Sequence, residues 1–357
     1  MEPKYHKVVI YYFSGTGNAK NTAFWVGDEA KRQGAETKII NIAKIQNKEI
    51  APPSENTLIG FISPTHGFHF PEIVRRFLIG FPEVKNCDAF LMNTRAGLRI
   101  GNLFLPGLSG VSHYWSSMVL KRKGFKIVGL FPVDLPSNWL SFHPAVRKRG
   151  IGLIYRNVEP KVRRFAVKII NGKTSYRALY DIVQDALIAP VAVLYILFGR
   201  YFLAKSFIAS SDCDMCGLCE KSCPVQAIKQ VDHRMFWTIK CESCMKCMND
   251  CPKRAIETAH GFMFIGSLII SSIVTYLIDQ ILTLAPFVDF QILGMEYAKS
   301  ILITILFFPI FFMGYRAMHW LMRFGLFERI FVFSSRTKYR FWGRYKAPNR
   351  RKNAIRP

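Results

Sequence analysis

Residues 7–13 (KVVIYYF) form an unbroken run of β-branched and aromatic residues with glycines on the C-terminal side. Such a run predicts a strand buried on both faces, the kind found in parallel sheets. From Asn18 to about Gln33 the pattern changes to a helical rhythm. Strand-like runs return at 36–42, 57–63 (TLIGFIS), 88–93 (DAFLMN) and 125–131 (FKIVGLF). A helix beginning at Pro71, a favoured first-turn residue, and ending near Gly80 falls between the last three. Strands alternating with helices predict an α/β doubly wound sheet. Residues 156–186 read as helical and amphipathic.

Further along, the apolar stretches lengthen. Ala186–Gly199 holds 14 uncharged residues, too few to cross a bilayer, and predicts a packed or interfacial linker helix. Gly261–Ile278 and Ser300–Tyr315 are longer, and the second extends to about Trp320 between the snorkelling residues Lys299 and Arg316. Apolar residues encircle both segments, which predicts two transmembrane α-helices rather than a pair of core helices. Pro309 is tolerated in such a span. The connection 284–297 contains Asp289 and Glu296 and no Lys or Arg, whereas 321–357 contains eleven Lys or Arg and one acid, Glu328. The positive-inside rule then sets both ends in the cytoplasm, with Trp320 and Trp342 at interface positions. His260 and His319 fall near the cytoplasmic ends of the two spans, where imidazoles contact water, lipid, a quinone headgroup or a haem.

Composition sharpens this picture. A formal net charge of +25 asks for an anionic partner. The tail FWGRYKAPNRRKNAIRP suits anionic lipid at the cytoplasmic leaflet, at about 1 kcal/mol per nearby cation. No reader motif for nucleic acid accompanies it. Eight of the nine cysteines crowd into residues 213–251, and Cys87 stands alone. No signal-peptide cleavage site precedes the first strand, so the cysteines are expected in the reducing cytoplasm.

The crowded cysteines form two runs, CDMCGLCEKSCP (Cys213, Cys216, Cys219, Cys223) and CESCMKCMNDCP (Cys241, Cys244, Cys247, Cys251). Each is C-x2-C-x2-C-x3-C-P, repeated at an offset of 28 residues. Three thiolates at this spacing converge on three irons of one cube, and the fourth cysteine of each run ligates the other cluster. One 4Fe–4S cluster is thus expected on Cys213, Cys216, Cys219 and Cys251, and a second on Cys241, Cys244, Cys247 and Cys223. Zinc, which takes four ligands as two separated pairs, fits the spacing poorly. Lys221, Lys229, Lys246 and Lys253 surround the runs and favour an acidic redox partner. The segment resembles the bacterial two-cluster ferredoxin module, a small α+β fold.

After the first strand comes Ser14-Gly15-Thr16-Gly17-Asn18, opening a helix: an anion cradle of hydroxyls, backbone N–H groups and a helix N-terminus. At the carboxyl end of the first strand of a doubly wound sheet it resembles the flavodoxin family, whose loop binds the FMN phosphate. Ala19 stands where flavodoxins usually have Thr. The resemblance implies two further contact loops for the flavin ring, carrying Thr65, His66, Gly67 and Phe68 after the third strand and Thr94, Arg95, Ala96 and Gly97 after the fourth. Asn138 and Trp139 follow the fifth. A flavodoxin-like shell without its cofactor remains the alternative.

Together the halves resemble the flavodoxin–ferredoxin fusion family. The expected organisation is a flavodoxin-like FMN domain over 1–155, a helical linker over 156–205 and a two-cluster ferredoxin domain over 206–258. A transmembrane hairpin over 259–320 and a basic cytoplasmic tail over 321–357 complete it. The resemblance covers roughly residues 1–257 and implies an electron carrier. With the expected hairpin, which lies outside it, the reading is a membrane-anchored relay of low-potential electrons between a soluble ferredoxin-like or other low-potential redox protein and a membrane redox enzyme or complex. A terminal reductase of a quinone or other lipid-soluble acceptor, and a redox sensor or scaffold, are the alternatives.

Overall fold

A computed structural model describes residues 4–45, 50, 52–53, 56–101, 103–283 and 293–348. The connection holding Asp289 and the last nine residues of the expected tail fall outside these. The chain divides into two units, one made of Met1–Arg200, Glu242–Asn249 and Gly343–Pro357, the other of Tyr201–Cys241 and Asp250–Trp342.

In the first unit the elements run β1 (Lys7–Tyr12), α1 (Asn18–Arg32), β2 (Glu36–Asn41), β3 (Thr57–Pro64), α2 (Glu72–Ile79), β4 (Cys87–Ile100) and β5 (Leu103–Leu105). They continue with α3 (Ser112–Arg122), β6 (Phe125–Pro136), α4 (Lys148–Ile170), β7 (Ser175–Tyr176) and α5 (Ile182–Leu194). The described strands order as β2-β1-β3-β4-β6-β7, all parallel, with β5 turned back antiparallel on β4. Side chains alternate across a strand, so β1 feeds two cores. Val8, Ile10 and Tyr12 join Ala23, Val26, Phe165 and Ile169 of α1 and α4. Val9, Tyr11 and Phe13 join Phe77, Leu78 and Leu120 of α2 and α3 on the other face. Burial on both faces is why these strands read as continuous apolar runs.

Four expectations need correction. The fourth strand does not stop at Asn93: it stays paired with β6 through Gly97↔Pro136 and ends at Ile100, so Thr94–Gly97 lie on a strand. Residues 156–186 are not helical throughout. Gly172, at φ +77°, ends α4 and turns the chain into β7 before α5 begins.

The third correction concerns the apolar helices. Among the described residues three are long and apolar enough to cross a membrane, Arg177–Ala204, Phe262–Leu282 and Tyr297–Leu321, where the sequence reading has two. Counting uncharged residues stops at Asp185 and Arg200. The helix runs through both because each is paired: the Asp185 carboxylate accepts from the Gly110 N–H at 2.7 Å, and Arg200 meets Glu72 at 2.9 Å. Last, residues 321–348 are not a tail. They contain a further helix, Gly325–Phe333, and bury Trp342, while Tyr345 enters the core of the first unit.

The second unit holds α6 (Arg200–Ala204, from its second residue), β8 (Phe207–Ala209), α7 (Leu218–Lys221), β9 (Ile228–Val231) and β10 (Arg234–Trp237). α8 (Lys246–Asp250) belongs mostly to the first unit. β11 (Ile256–Thr258), α9 (Ser267–Thr283), α10 (Leu293–Leu321) and α11 (Gly325–Phe333) follow. β8 pairs with β11 and β9 with β10, both antiparallel. The cysteine region and α10 share a core: the Tyr315 hydroxyl donates to the Phe207 carbonyl at 2.9 Å, and Phe202 and Phe262 stack on Phe311.

Candidate functional site

At the carboxyl ends of β1, β3, β4 and β6 the first unit has a cavity where the strand order reverses about β1, the place where open α/β sheets bind ligands. Of the residues expected at a flavin, Ser14, Gly15, Thr16, Asn18, Thr65, His66, Thr94, Arg95, Ala96, Asn138 and Trp139 line it. Gly17 caps α1 instead, at φ +106°. Gly67 and Phe68 sit in a positive-φ turn outside the lining, and Gly97 lines a different cavity.

Not all the lining side chains are free to bind. Asn18 is held by three partners: its amide donates to the Pro136 carbonyl at 2.9 Å, and its oxygen accepts from the hydroxyls of Tyr155, at 2.7 Å, and Tyr345. Arg95 is buried between Asp134 at 2.7 Å and Asp181 at 2.6 Å, so its charge is already matched. Ser14 Oγ accepts from the Gly17 N–H at 3.0 Å, which shapes the loop. Asn138 donates to the Thr16 hydroxyl.

The polar inventory suits a phosphate and a polar ring. Hydroxyl-bearing side chains line the cavity from two sides, Ser14 and Thr16 in the loop before α1 and Thr65 and Thr94 after β3 and on β4. His66 Nδ1 is buried in this lining without a hydrogen-bond partner among the described residues, a polar atom suited to a ligand. Burial pushes the His66 imidazole down to about 4, so it stands there neutral. Room is scarcer: the cavity measures about 80 Å³, below the roughly 300–1,000 Å³ of small-molecule pockets. A flavin is larger than this cavity, so binding one requires the lining to open. Trp139 packs on Phe142 at 4.5 Å and has Tyr195 at 6.4 Å.

Ala19, Pro64, Pro136 and Ser137 neighbour the expected residues along the chain, whereas three further lining residues, Tyr195, Ser243 and Cys244, come from segments that sequence reasoning did not place at a flavin. Tyr195 lay in the presumed linker. Ser243 and Cys244 were assigned to the iron–sulfur module alone, and no local signal assigns a cysteine loop to a flavin pocket. The loop is fixed by Glu242, whose carboxylate accepts from the Glu72 and Ile73 N–H groups at 3.1 and 3.0 Å, at the N-terminus of α2. Burial raises the Glu242 pKa, and those two N–H groups pull it the other way. The approach is closest at Gly15, where an added Cβ would lie 2.4 Å from the Cys244 carbonyl oxygen.

The two cysteine runs are wound alike. Met215, Gly217 and Gln226 have φ of +57°, +69° and +51°, and Ser243, Met245 and Arg254 have +49°, +59° and +55°. These are the same positions at the 28-residue offset. Left-handed residues between the cysteines curl the backbone of each run. Cys213 interacts electrostatically with Cys216 and Cys251, and Cys219 with Cys213 and Cys251, so the thiols expected on the first cluster are neighbours. Burial pushes the Cys219 thiol up to about 11. Cys244 and Cys247 belong to the first unit, and Cys223 and Cys241 to the second. Among the described residues no three His, Cys, Asp or Glu side chains close around a single ion; a cube, with one thiolate per iron corner, is a wider target.

Residues 207–229, which carry Cys213, Cys216, Cys219 and Cys223, match the family described as 4Fe-4S binding domain. No curated protein is similar to the chain. Solved structures similar to it include a flavodoxin from Streptococcus pneumoniae TIGR4, at 12% identity over 46% of this chain and 99% of that one, with a TM-score of 0.32. Flavodoxin 1 from Bacillus cereus gives 14%, 47%, 99% and 0.34. Rubredoxin oxygen:oxidoreductase from Desulfovibrio gigas gives 18% and 0.28, over 45% of this chain and 35% of that one. At such scores the likeness carries no argument of its own, and it is the strand order β2-β1-β3-β4-β6 that identifies the fold. The chain joins a flavodoxin-like α/β unit to a 4Fe-4S-binding segment.

Proposed function

We propose that the chain is a membrane-anchored flavo-iron–sulfur protein relaying low-potential electrons between a soluble ferredoxin-like donor and a redox enzyme or complex at the membrane. One observation carries the reading. Ser243 and Cys244 of the second cysteine run line the same cavity as Ser14, Thr65 and Trp139, so a flavin site and a cluster ligand share a wall. When bound, FMN exchanges electrons singly or in pairs and a 4Fe–4S cluster one at a time, which suits a relay that splits or combines pairs.

In this reading Ser14, Thr16 and the first N–H groups of α1 hold the phosphate. His66 offers its unpartnered Nδ1 to the ring, and Trp139 and Tyr195 exclude water. Glu242 keeps the cysteine loop against the phosphate loop. Cys213, Cys216, Cys219 and Cys251 hold one cluster, and Cys241, Cys244, Cys247 and Cys223 the other. Phe262–Leu282 and Tyr297–Leu321 anchor the chain as a hairpin, with both ends at the cytoplasmic face.

The test is metal, sulfide and flavin analysis of anaerobically purified protein, followed by rapid-mixing reduction. About eight iron and one FMN per chain are expected for two clusters. Reduction of flavin and clusters should proceed together, and Cys244→Ser should uncouple them while FMN stays bound. Four or fewer iron at full occupancy, or no flavin, refutes the assignment.

A further inference from the structure

The helix beginning at Arg177 is apolar enough to cross a bilayer, yet both its ends are tied to one folded unit. At the start, Asp181 pairs with Arg95 of β4 at 2.6 Å, and Asp185 accepts from the Gly110 N–H and the Tyr114 hydroxyl. At the far end, the Tyr195 ring lies against Gly67, and Arg200 pairs with Glu72 at the start of α2. From Asp181 to Arg200 a helix rises about 29 Å, the thickness of a hydrocarbon core. Crossing would set β4 on one side of the membrane and the α2 start on the other, although β3, which leads into α2, pairs with β4.

The outward face of this helix is apolar along its whole length. Tyr180, Val183 and Leu187 are 86%, 73% and 78% exposed, and Leu194 and Leu197 continue the stripe at helical spacing. Beside its first turn a cavity of about 340 Å³ combines Phe104 of the exposed β4–β5 hairpin with the cations Lys161, Arg164 and Arg177. An apolar stripe with cations gathered at one end suits a membrane interface, the stripe entering the acyl boundary and the cations meeting anionic headgroups.

We propose that Arg177–Arg200 is an in-plane membrane helix, and that Lys161, Arg164 and Arg177 form a site for the phosphate of an anionic phospholipid. The inference rests on the membrane reading above and adds a second attachment that sets the flavin-side unit flat on the leaflet. The groups facing the cavity also include Asp134 and Asp181, both engaged by Arg95, which leaves the three cations for the headgroup.

The test uses the full chain reconstituted in vesicles of phosphatidylcholine and phosphatidylglycerol with brominated acyl chains. Val183→Trp, Leu187→Trp and Leu194→Trp report the helix, and Ile269→Trp reports the hairpin. An in-plane helix sits just below the headgroups. Shallow bromines should quench all three added tryptophans equally, at least about twofold more than bromines at the chain ends. Quenching should rise with phosphatidylglycerol, and replacing Lys161, Arg164 and Arg177 together by Gln should abolish that rise. A deep maximum at Leu187→Trp means a crossing helix and overturns the proposal. Quenching of Ile269→Trp alone overturns it while sparing the hairpin, and quenching of none overturns the membrane reading as well. A phosphatidylglycerol dependence that survives the triple substitution removes the headgroup site.

Discussion

Replacing Gly15 by alanine tests the contact on which the proposed relay depends. The new methyl would lie 2.4 Å from the Cys244 carbonyl oxygen and 2.8 Å from the Cys244 Cβ. Ordinary contact begins at 3.4 Å, so phosphate loop and cysteine loop must part by about 1 Å. Neither side is the tip of a flexible side chain: one is the turn leaving β1, the other a backbone held by Glu242 on the N–H groups of Glu72 and Ile73. Overpacking against backbone costs about 1–3 kcal/mol. For a unit of this size that lowers Tm by about 2–4 °C per kcal/mol. Scanning calorimetry, flavin retention after ultrafiltration and rapid-mixing reduction read the three consequences. Gly152→Ala is the control: it lies inside α4 with nothing within 4 Å of the added methyl, and should be stabilising by about 0.5–1 kcal/mol. If Gly15→Ala melts, binds flavin and transfers electrons like Gly152→Ala, the loops are not in contact and the relay argument fails.

Tyr345→Ala should destabilise the flavodoxin-like unit by about 3–5 kcal/mol, since a fully buried aromatic is removed from its core. Tyr345→Phe, losing the hydroxyl's bonds with Asn18 and Tyr155, should cost about 1–3 kcal/mol in denaturant titrations; equal costs would show that the hydroxyl alone matters and the packing of the ring does not. Gly217→Ala should weaken cluster retention under chelator by about fivefold, equivalent to about 1 kcal/mol of left-handed strain, because the only atom within 4 Å is the end of Lys221. Unchanged chelation kinetics would remove the winding argument. Burial lowers His66 and His69 to about 4 and His113 to about 3, from 6.5. Unfolded chains bind these protons first as pH falls, so stability is full above 6.5 and declines below it, by about 2 kcal/mol per histidine at pH 5. A Tm flat between pH 7 and 5 would contradict their burial.

Much of the α/β unit was legible because its strands are apolar on both faces and its turns carry Gly or Pro. What escaped depended on contacts distant in sequence. Thr94–Gly97 look like a loop, yet they remain a strand because β6 continues beside them to Pro136. Asp185 and Arg200 look like helix ends until the Gly110 N–H bonds the one and the Glu72 carboxylate pairs with the other. Tyr345, in a stretch of cations that reads as a tail, is fully buried by partners more than 180 residues away, Asn18 and Tyr155. The phosphate loop and the cysteine runs were visible as motifs because their chemistry is local. That Cys244 would wall the cavity was not, because Gly15 and Cys244 each have a sufficient local explanation.

The unit built from Met1–Arg200, Glu242–Asn249 and Gly343–Pro357 also has a consequence for the order of biosynthesis. Its last core aromatic, Tyr345, emerges from the ribosome only after residues 201–342 have been made, on the order of ten seconds after Arg200 at typical elongation rates. Both long apolar helices of the second unit are translated in that interval. The flavodoxin-like unit must wait half-assembled, its Asn18 oxygen lacking one donor, until both apolar helices have been made.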